Sequence, residues 1–176
     1  WVEEFYDIYD TESEALRNLA SLPFRLVVNT SAGFSAERAF KRVKSRTYVD
    51  FYDRTAPARV DLPDASTDAP IVYGLYGSLQ KPSSMILSEN DRFDFLISII
   101  TGNPPLPKKL TSALCDEQQS FLFLGFNLAQ WQLRLLMYVV LKRVQREYKS
   151  LALEREKEGL DEVALLVSLR GDKVHF

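Results

Sequence analysis

Residues 24–40 read FRLVVNTSAGFSAERAF, and this stretch decides the fold class. Its first seven residues form a short, valine-rich apolar run, which is typical of a buried strand. Residues 31–34 are predicted to form the turn out of that strand, and the residues from Ser35 onward favour a helix with Ser35 as its N-cap. A strand, a tight turn and a helix in succession are the building block of a parallel sheet. We therefore expect a three-layer α/β fold with about five or six mostly parallel strands and helices on both faces.

Further strands and helices are predicted on both sides of this unit. The additional predicted strands are 46–51, 71–77, 84–87 and 120–126, with a weaker hairpin at 163–169 and 173–176. The predicted helices are 11–20 with Thr11 or Ser13 as N-cap, 89–101 with Ser88 as N-cap, 106–116 and 129–158. Residues 121–126 are the most continuously apolar run, so we expect them at the centre of the sheet, covered on both faces.

Two other stretches have a recognisable character. Residues 53–70 contain three prolines, four aspartates and few large apolar side chains, which predicts a surface loop. Within the 89–101 helix, helical periodicity places four apolar residues on one face. These are Phe93, Leu96, Ile97 and Ile100.

Composition limits the classes of protein to consider. The chain has 176 residues, 46% hydrophobic and 26% charged, which suits one globular domain. Cys115 and His175 are its only cysteine and histidine, so neither an internal disulfide nor a zinc site of several such residues is possible. The net charge of −2 gives no basic surplus for nucleic acid or anionic membrane. No apolar run reaches the roughly eighteen residues of a membrane helix, and we expect a cytoplasmic protein.

The chain opens on Trp1 rather than Met, with no signal-peptide pattern. We therefore expect it to begin inside a longer gene product. Residues 1–176 are predicted to form a single domain that lacks the N-terminal part of its fold.

Most candidate catalytic groups do not form a pattern. The spacing of Cys115 and His175 does not support a nucleophile and its base. The acid pairs Asp91/Asp94 and Glu154/Glu158 are typical of solvated helix surfaces. Neither a GxGxxG nor a GxxxxGK phosphate loop occurs in the chain.

Three predicted strand ends carry small or polar residues. They are residues 30–33, residues 76–78 and residues 125–127. In parallel α/β sheets the ligand crevice lies outside the carboxyl ends of the strands, so these residues are candidates for a binding groove. The alternative is that the small residues only allow the turns to close.

These strand ends, in this order, resemble the sirtuin-like (silent information regulator) family in its bacterial branch. Residues 22–40 resemble the family's strand, Thr-Asn-Tyr-Asp turn and helix with Glu-x-Ala. Residues 72–93 resemble its Leu-His-Gly strand and the stretch that follows. Residues 121–136 resemble its Leu-Phe-x-Gly-Phe-Ser-Leu strand and helix, which is the most specific of the three. The resemblance implies a Rossmann-like sheet that binds NAD and cleaves its nicotinamide–ribose bond, either to deacylate lysine or, in bacterial defence proteins, to destroy NAD.

The chain differs from the family at the positions that the resemblance aligns with catalytic residues. The family's turn Asn falls on Ser31, the following Asp on Gly33, its general base His on Tyr76 and a later acid on Gln130. Its glycine-rich NAD-binding turn would lie upstream of Trp1. A phenol, with a pKa near 10, is a poor general base at neutral pH compared with an imidazole, whose pKa is near 6.5.

The resemblance therefore predicts a catalytically degenerate domain. We expect it to act as a binding, scaffolding or regulatory module of a larger bacterial protein, for example a defence protein. Its partner would be a protein or another domain of the parent chain, with no nucleic acid, membrane, metal or cofactor and no catalytic residue. The alternative is an NAD-cleaving hydrolase with NAD as its cofactor. The predicted vestigial groove contains Thr30, Ser31, Gly33, Tyr76, Gly77, Ser78, Gly125 and Asn127.

Overall fold

A computed structural model describes residues 13–31, 33–56, 61–116, 119–124, 131–140 and 151–153. Helices and strands alternate along most of this part of the chain. In order they are α1 (Glu14–Ser21), β1 (Leu26–Asn29), α2 (Ser35–Val43), β2 (Tyr48–Phe51), β3 (Ile71–Gly74), a 3₁₀ turn (Pro82–Ser84), α3 (Glu89–Thr101), α4 (Lys108–Cys115), β4 (Leu122–Leu124), α5 (Trp131–Val140) and β5 (Leu151–Leu153).

The main sheet contains three parallel strands in the order β1-β3-β2. Asn29 of β1 and Phe51 of β2 both lie opposite Gly74 of β3, so the three carboxyl ends meet at one edge. Strands β4 and β5 form a separate parallel pair. The predicted α/β fold is confirmed.

Strand β3 divides the core into two layers. Ile71 and Tyr73 pack on one face against Phe95 of α3, Leu110 of α4 and Leu136 of α5. Val72, whose side chain points the opposite way, packs on the other face against Phe40 of α2 and the α1 residue Ala20. Because successive strand side chains point to opposite faces, four residues are enough to bury both sides of this strand. The helices therefore lie on both faces, as the three-layer architecture requires.

The prediction that residues 121–126 are the central strand is wrong. The described strand there is Leu122–Leu124, which pairs with β5 outside the three-stranded sheet. Leu124 is 40% exposed, whereas Ile71, Val72 and Tyr73 of β3 are each at most 3% exposed. Apolar continuity does not by itself identify the centre, because burial on both faces depends on which helices pack there.

Three other predictions need correction. Residues 84–87 are not a strand: Ser84 ends a 3₁₀ turn that Pro82 begins, and its hydroxyl donates to the Lys81 carbonyl. The helix predicted over 129–158 does not run through residues 151–153, which form β5. Ser35 is the first helical residue of α2 rather than its N-cap, which is Phe34. The hairpin predicted at 163–169 and 173–176 lies outside the described residues.

Helix α3 begins and ends as the sequence predicts. The hydroxyl of Ser88 accepts from the Asp91 amide, and the Asp91 carboxylate accepts from the Ser88 amide, which completes a capping box. Gly102 ends the helix with a φ of 67°. The predicted apolar face is only partly buried: Leu96 lies in the core together with Phe95, whereas Phe93, Ile97 and Ile100 are exposed.

Asp91 is also more than a solvated surface acid. Besides its two bonds from Ser88, it forms an ion pair with Arg54, which follows β2. The hydrogen bonds from Ser88, and then the one from Arg54, hold the pKa of Asp91 far below its ordinary value. Asp91 therefore ties the start of α3 to the segment after β2, while Asp94, which is exposed, makes only a longer contact of 3.4 Å with Arg54.

Candidate functional site

The turn after β1 is held by its own side chains. The Asn29 carboxamide donates to the Ser31 carbonyl at 2.8 Å, and its oxygen accepts from the Ser31 amide at 3.0 Å. The Ser31 hydroxyl in turn accepts from the Gly33 amide at 3.4 Å. This is an Asx-type turn, in which a side chain replaces backbone hydrogen bonds. The Asn29 carboxamide is therefore engaged in holding the turn.

The turn after β3 requires glycine at two positions. Gly77 has a φ of 84°, and a Cβ there would lie 2.3 Å from the Ser84 carbonyl oxygen. A Cβ on Gly74 would lie 2.7 Å from the Gly77 carbonyl oxygen. Both contacts are with backbone, which cannot move aside as a flexible side chain can. The small residues here thus allow two backbone segments to pack closely.

Ser78 belongs to the same close contact. Its amide donates to the Ser84 hydroxyl at 3.1 Å, and its own hydroxyl accepts from the Gln80 amide at 3.1 Å. The side chain is buried. Ser78 therefore fixes the loop between β3 and the 3₁₀ turn.

The ring of Tyr76, a residue of the predicted groove, packs against the core. It contacts Phe95 edge to face, with 5.3 Å between the ring centroids. Burial raises the pKa of the Tyr76 phenol above its ordinary value, and the charge of Arg92 offsets this only in part. The phenol is consequently neutral at physiological pH.

Two carboxylates lie at the same edge of the sheet. Glu37 projects from the first turn of α2 and pairs with Lys41 at 2.5 Å. Asp50, on β2, is buried, and its Oδ1 accepts from the Phe51 amide at 2.8 Å. Both residues line a small cleft between α2 and the three strand ends.

This cleft is where the predicted groove residues partly meet. It has a volume of about 20 Å³, close to the space of one water molecule. Four of the predicted groove residues line it: Ser31, Gly33, Gly77 and Ser78. Thr30 is half-buried beside it, and Tyr76 packs against Phe95 instead. Gly125 and Asn127 lie outside the described residues, and ligand binding by any of the eight stays a prediction.

Sequence reasoning missed Asn29, Glu37 and Asp50 as cleft residues. A signal existed for Asp50, because a carboxylate within a short buried strand needs a polar environment. In the sequence, Glu37 is recognisable only as part of the Glu-x-Ala helix motif. Its position at the cleft follows from the first turn of α2, which the sequence had placed correctly next to the strand end.

A second and larger cavity lies nearby. It has a volume of about 340 Å³ and is lined by the end of β2, by Tyr73 and Asp61, and by the loop between α3 and α4.

Within the described ranges, no group of three or more His, Cys, Asp or Glu residues is arranged to hold a metal ion. Within the same ranges, no helix is long and apolar enough to cross a membrane.

A family model described as SIR2-like domain matches residues 35–168, more than half of the chain. The chain belongs to the SIR2-like family. The matched range of this SIR2-like chain includes the Tyr76 strand end and the 121–136 stretch, which confirms the resemblance. The Ser31 turn lies just before it. No curated protein matches the chain.

Proposed function

We propose that this SIR2-like domain does not cleave NAD and serves instead as a binding, scaffolding or regulatory module of a larger bacterial protein. The observation that carries the proposal is the environment of Tyr76. A general base works best with a pKa near the working pH. The Tyr76 phenol, whose pKa burial raises, has the opposite property and packs against Phe95.

The turn after β1 supports the same proposal. A free carboxamide holds a donor and an acceptor at a fixed spacing, whereas the donor and acceptor of a hydroxyl share one rotating oxygen. Ser31 stands at the position of the family's Asn, and its hydroxyl already accepts from the Gly33 amide. The Asn29 carboxamide is engaged with the backbone of Ser31. Neither side chain thus presents a free carboxamide to a nucleotide ribose.

An exposed apolar surface on α3 favours a protein partner. Phe93, Ile97 and Ile100 are 46%, 59% and 57% exposed. Phe93 lies beside the half-exposed Trp131 of α5, with 5.9 Å between ring centroids. Contiguous apolar patches of this kind are typical of interaction surfaces.

NAD hydrolysis is the second candidate, and the two acids favour it. Glu37 and Asp50 line the cleft next to Ser31. A carboxylate can stabilise the positive charge that develops on a ribose as its bond to nicotinamide breaks. Under this alternative, the negative charge of Asp50 stabilises the positive charge on the ribose, and no general base is needed for that step.

Nicotinamide release separates the two candidates. We would incubate the 176-residue chain with NAD for hours at high protein concentration and quantify nicotinamide by chromatography. The proposal predicts release equal to a buffer blank, also for Tyr76→His, because the imidazole would replace only one of the missing groups. Release that disappears in Ser31→Ala or Asp50→Asn, and persists in the exposed control Ser112→Ala, would establish the hydrolase instead.

A further inference from the structure

The loop between α3 and α4 is rich in proline and ends in two lysines, since residues 104–109 read PPLPKK. Proline fixes its own φ near −65°, and a residue that precedes proline is held in the extended region. Both effects favour the polyproline II conformation over residues 104–107. Pro107 has a φ of −51° and a ψ of 137°, close to that conformation, and residues 105–107 form neither helix nor strand. Residues 104–107 are therefore a short polyproline II segment.

Contacts with the rest of the domain hold this segment at both ends. The Tyr52 hydroxyl donates to the Pro104 carbonyl at 2.8 Å. The amide and hydroxyl of Thr111 donate to the Pro107 carbonyl at 3.0 Å and 3.2 Å. Between the two ends, the half-buried side chain of Leu106 packs against the main core. A segment that is already held in one conformation loses little entropy when it binds a partner.

The segment presents proline rings to solvent. A polyproline II helix has three residues per turn, so its side chains form three edges. Leu106 occupies the edge that faces the core. Pro105 lies on a second edge and is exposed, whereas Pro104 and Pro107 share the third edge and are half-buried. In the part of the chain that the structure describes, the carbonyls of Pro105 and Leu106 accept no hydrogen bond.

The ends of the two helices do not explain the composition of the loop. Pro104 follows the end of α3, and Pro107 is the N-cap of α4, where a proline fits well. The exposed Pro105 belongs to neither end. Lys108 and Lys109 are the first two residues of α4, whose first turn contains no acid, although the helix dipole favours acids there. A partner with negative charge would offset this unfavourable placement.

We propose that residues 104–108 are a docking site for a protein whose groove is lined by aromatic side chains and bordered by acidic ones. Aromatic grooves recognise PxxP segments because the polyproline II helix is already formed. The rings of Pro104 and Pro105 would pack between the aromatic rings. The N–H or O–H of a groove Trp or Tyr would donate to the Pro105 and Leu106 carbonyls, and the acids would pair with Lys108. The inference goes beyond the proposed function and does not depend on whether the domain cleaves NAD.

Titration of the ¹⁵N-labelled 176-residue chain with isolated binding modules tests the proposal. The probes are an SH3 domain and a WW domain, each chosen for an aromatic groove with an acidic border. At least one should bind and shift chiefly the amide signals of Leu106, Lys108 and Lys109. Shifts centred on Phe93 and Ile97 of α3 instead, or no binding by either module, would overturn the proposal.

A synthetic peptide of residues 102–110 separates the motif from its setting in the fold. The free peptide samples many conformations, so the folded chain should bind the same module at least as tightly. Binding of the peptide without binding of the chain would show that the fold makes the segment inaccessible, which would contradict the proposal.

Substitutions then locate the contact. Pro105→Ala removes an exposed ring and should weaken binding about fivefold or more while the chain stays folded. Pro63→Ala is the matched control, because Pro63 is an exposed proline outside the segment, and it should leave the affinity unchanged.

Lys108→Glu separates binding from stability. An acid in the first turn of α4 suits the helix dipole, so the melting temperature should stay the same or rise slightly. The affinity should nevertheless fall several-fold, because the acidic border of the groove would repel the new charge. Equal affinities in the Pro105→Ala, Lys108→Glu and unsubstituted chains would refute the assignment of the site.

Discussion

At the scale of single residues, the turn after β3 leaves no space for a side chain at Gly77. Gly77 combines a φ of 84° with a Cβ position 2.3 Å from the Ser84 carbonyl oxygen. Gly102 has a similar φ of 67° but nothing within 4 Å of its Cβ position. Comparing the two glycines therefore distinguishes the cost of the left-handed backbone conformation, which both share, from the cost of a steric clash, which only Gly77 would have.

We expect Gly102→Ala to lower the free energy of unfolding by about 1–2 kcal/mol, the usual cost of a left-handed residue with a Cβ. Gly77→Ala should lower it by more than about 3 kcal/mol, because backbone clashes are added to that cost. Urea denaturation followed by circular dichroism measures both. Equal losses in the two variants would show that the Gly77–Ser84 contact is looser than described.

At the scale of elements, the start of α3 depends on a charge. Hydrogen bonds from Ser88 and Arg54 hold the Asp91 carboxylate in its ionised form and lower its pKa. A group whose folded pKa is depressed stabilises the fold above its unfolded pKa of about 4, and this contribution is lost as the pH falls below that value.

Asp91→Asn should accordingly lower the free energy of unfolding at pH 7 by about 1 kcal/mol. The difference from the unsubstituted chain should shrink as the pH falls below about 4. Asp94→Asn, three residues along the same helix, removes an exposed acid whose contact with Arg54 is longer, at 3.4 Å, and should change stability by less than about 0.5 kcal/mol. Thermal melts from pH 7 to pH 2 test this, and a loss for Asp91→Asn that is constant over the whole range would refute the electrostatic explanation.

The sequence predicts elements well where short-range chemistry decides them. The valine-rich run before Ser31 gives β1, and the Ser88 hydroxyl marks the start of α3. It fails at residues 84–87, where apolar residues that look like a strand follow a turn fixed by the distant Ser78 amide. It also fails at Leu151–Leu153, because pairing with β4 overrides the helical pattern of the flanking residues.

The candidate site was predictable to a similar extent. Small residues at strand ends pointed to Ser31 and Gly77, which line the cleft, because a tight turn leaves a local signature; ligand binding by them stays a prediction. The role of Asp50 and the inward packing of Tyr76 depend on which face of a strand or turn meets which helix. That information is tertiary, and a single sequence does not contain it.

At the scale of the whole molecule, β3 joins the two layers. Its side chains alternate between the core beneath α3, α4 and α5 and the core beneath α1 and α2. A strand that is covered on both faces cannot accommodate a charge. Strand β4, in the separate pair, ends at the exposed Leu124.

We therefore expect Val72→Asp to abolish cooperative unfolding, because the carboxylate would be buried without a partner. Leu124→Asp should retain a cooperative melt, with a loss of about 1 kcal/mol or less. Differential scanning calorimetry of both variants makes the comparison. A folded Val72→Asp chain together with an unfolded Leu124→Asp chain would reverse the assignment of the central strand.

The proposal that this SIR2-like domain does not cleave NAD rests chiefly on Tyr76, whose phenol is proposed to be unable to act as a base. Its most direct test is a pH titration of the chain carrying ¹³C at the tyrosine Cζ position, with the Tyr76 signal assigned by its absence in Tyr76→Phe. Because burial raises the pKa of the phenol, the account predicts a Tyr76 midpoint above 10 or no titration before the protein unfolds. A midpoint near neutral pH would contradict it, since Tyr76 would then be able to accept a proton under physiological conditions.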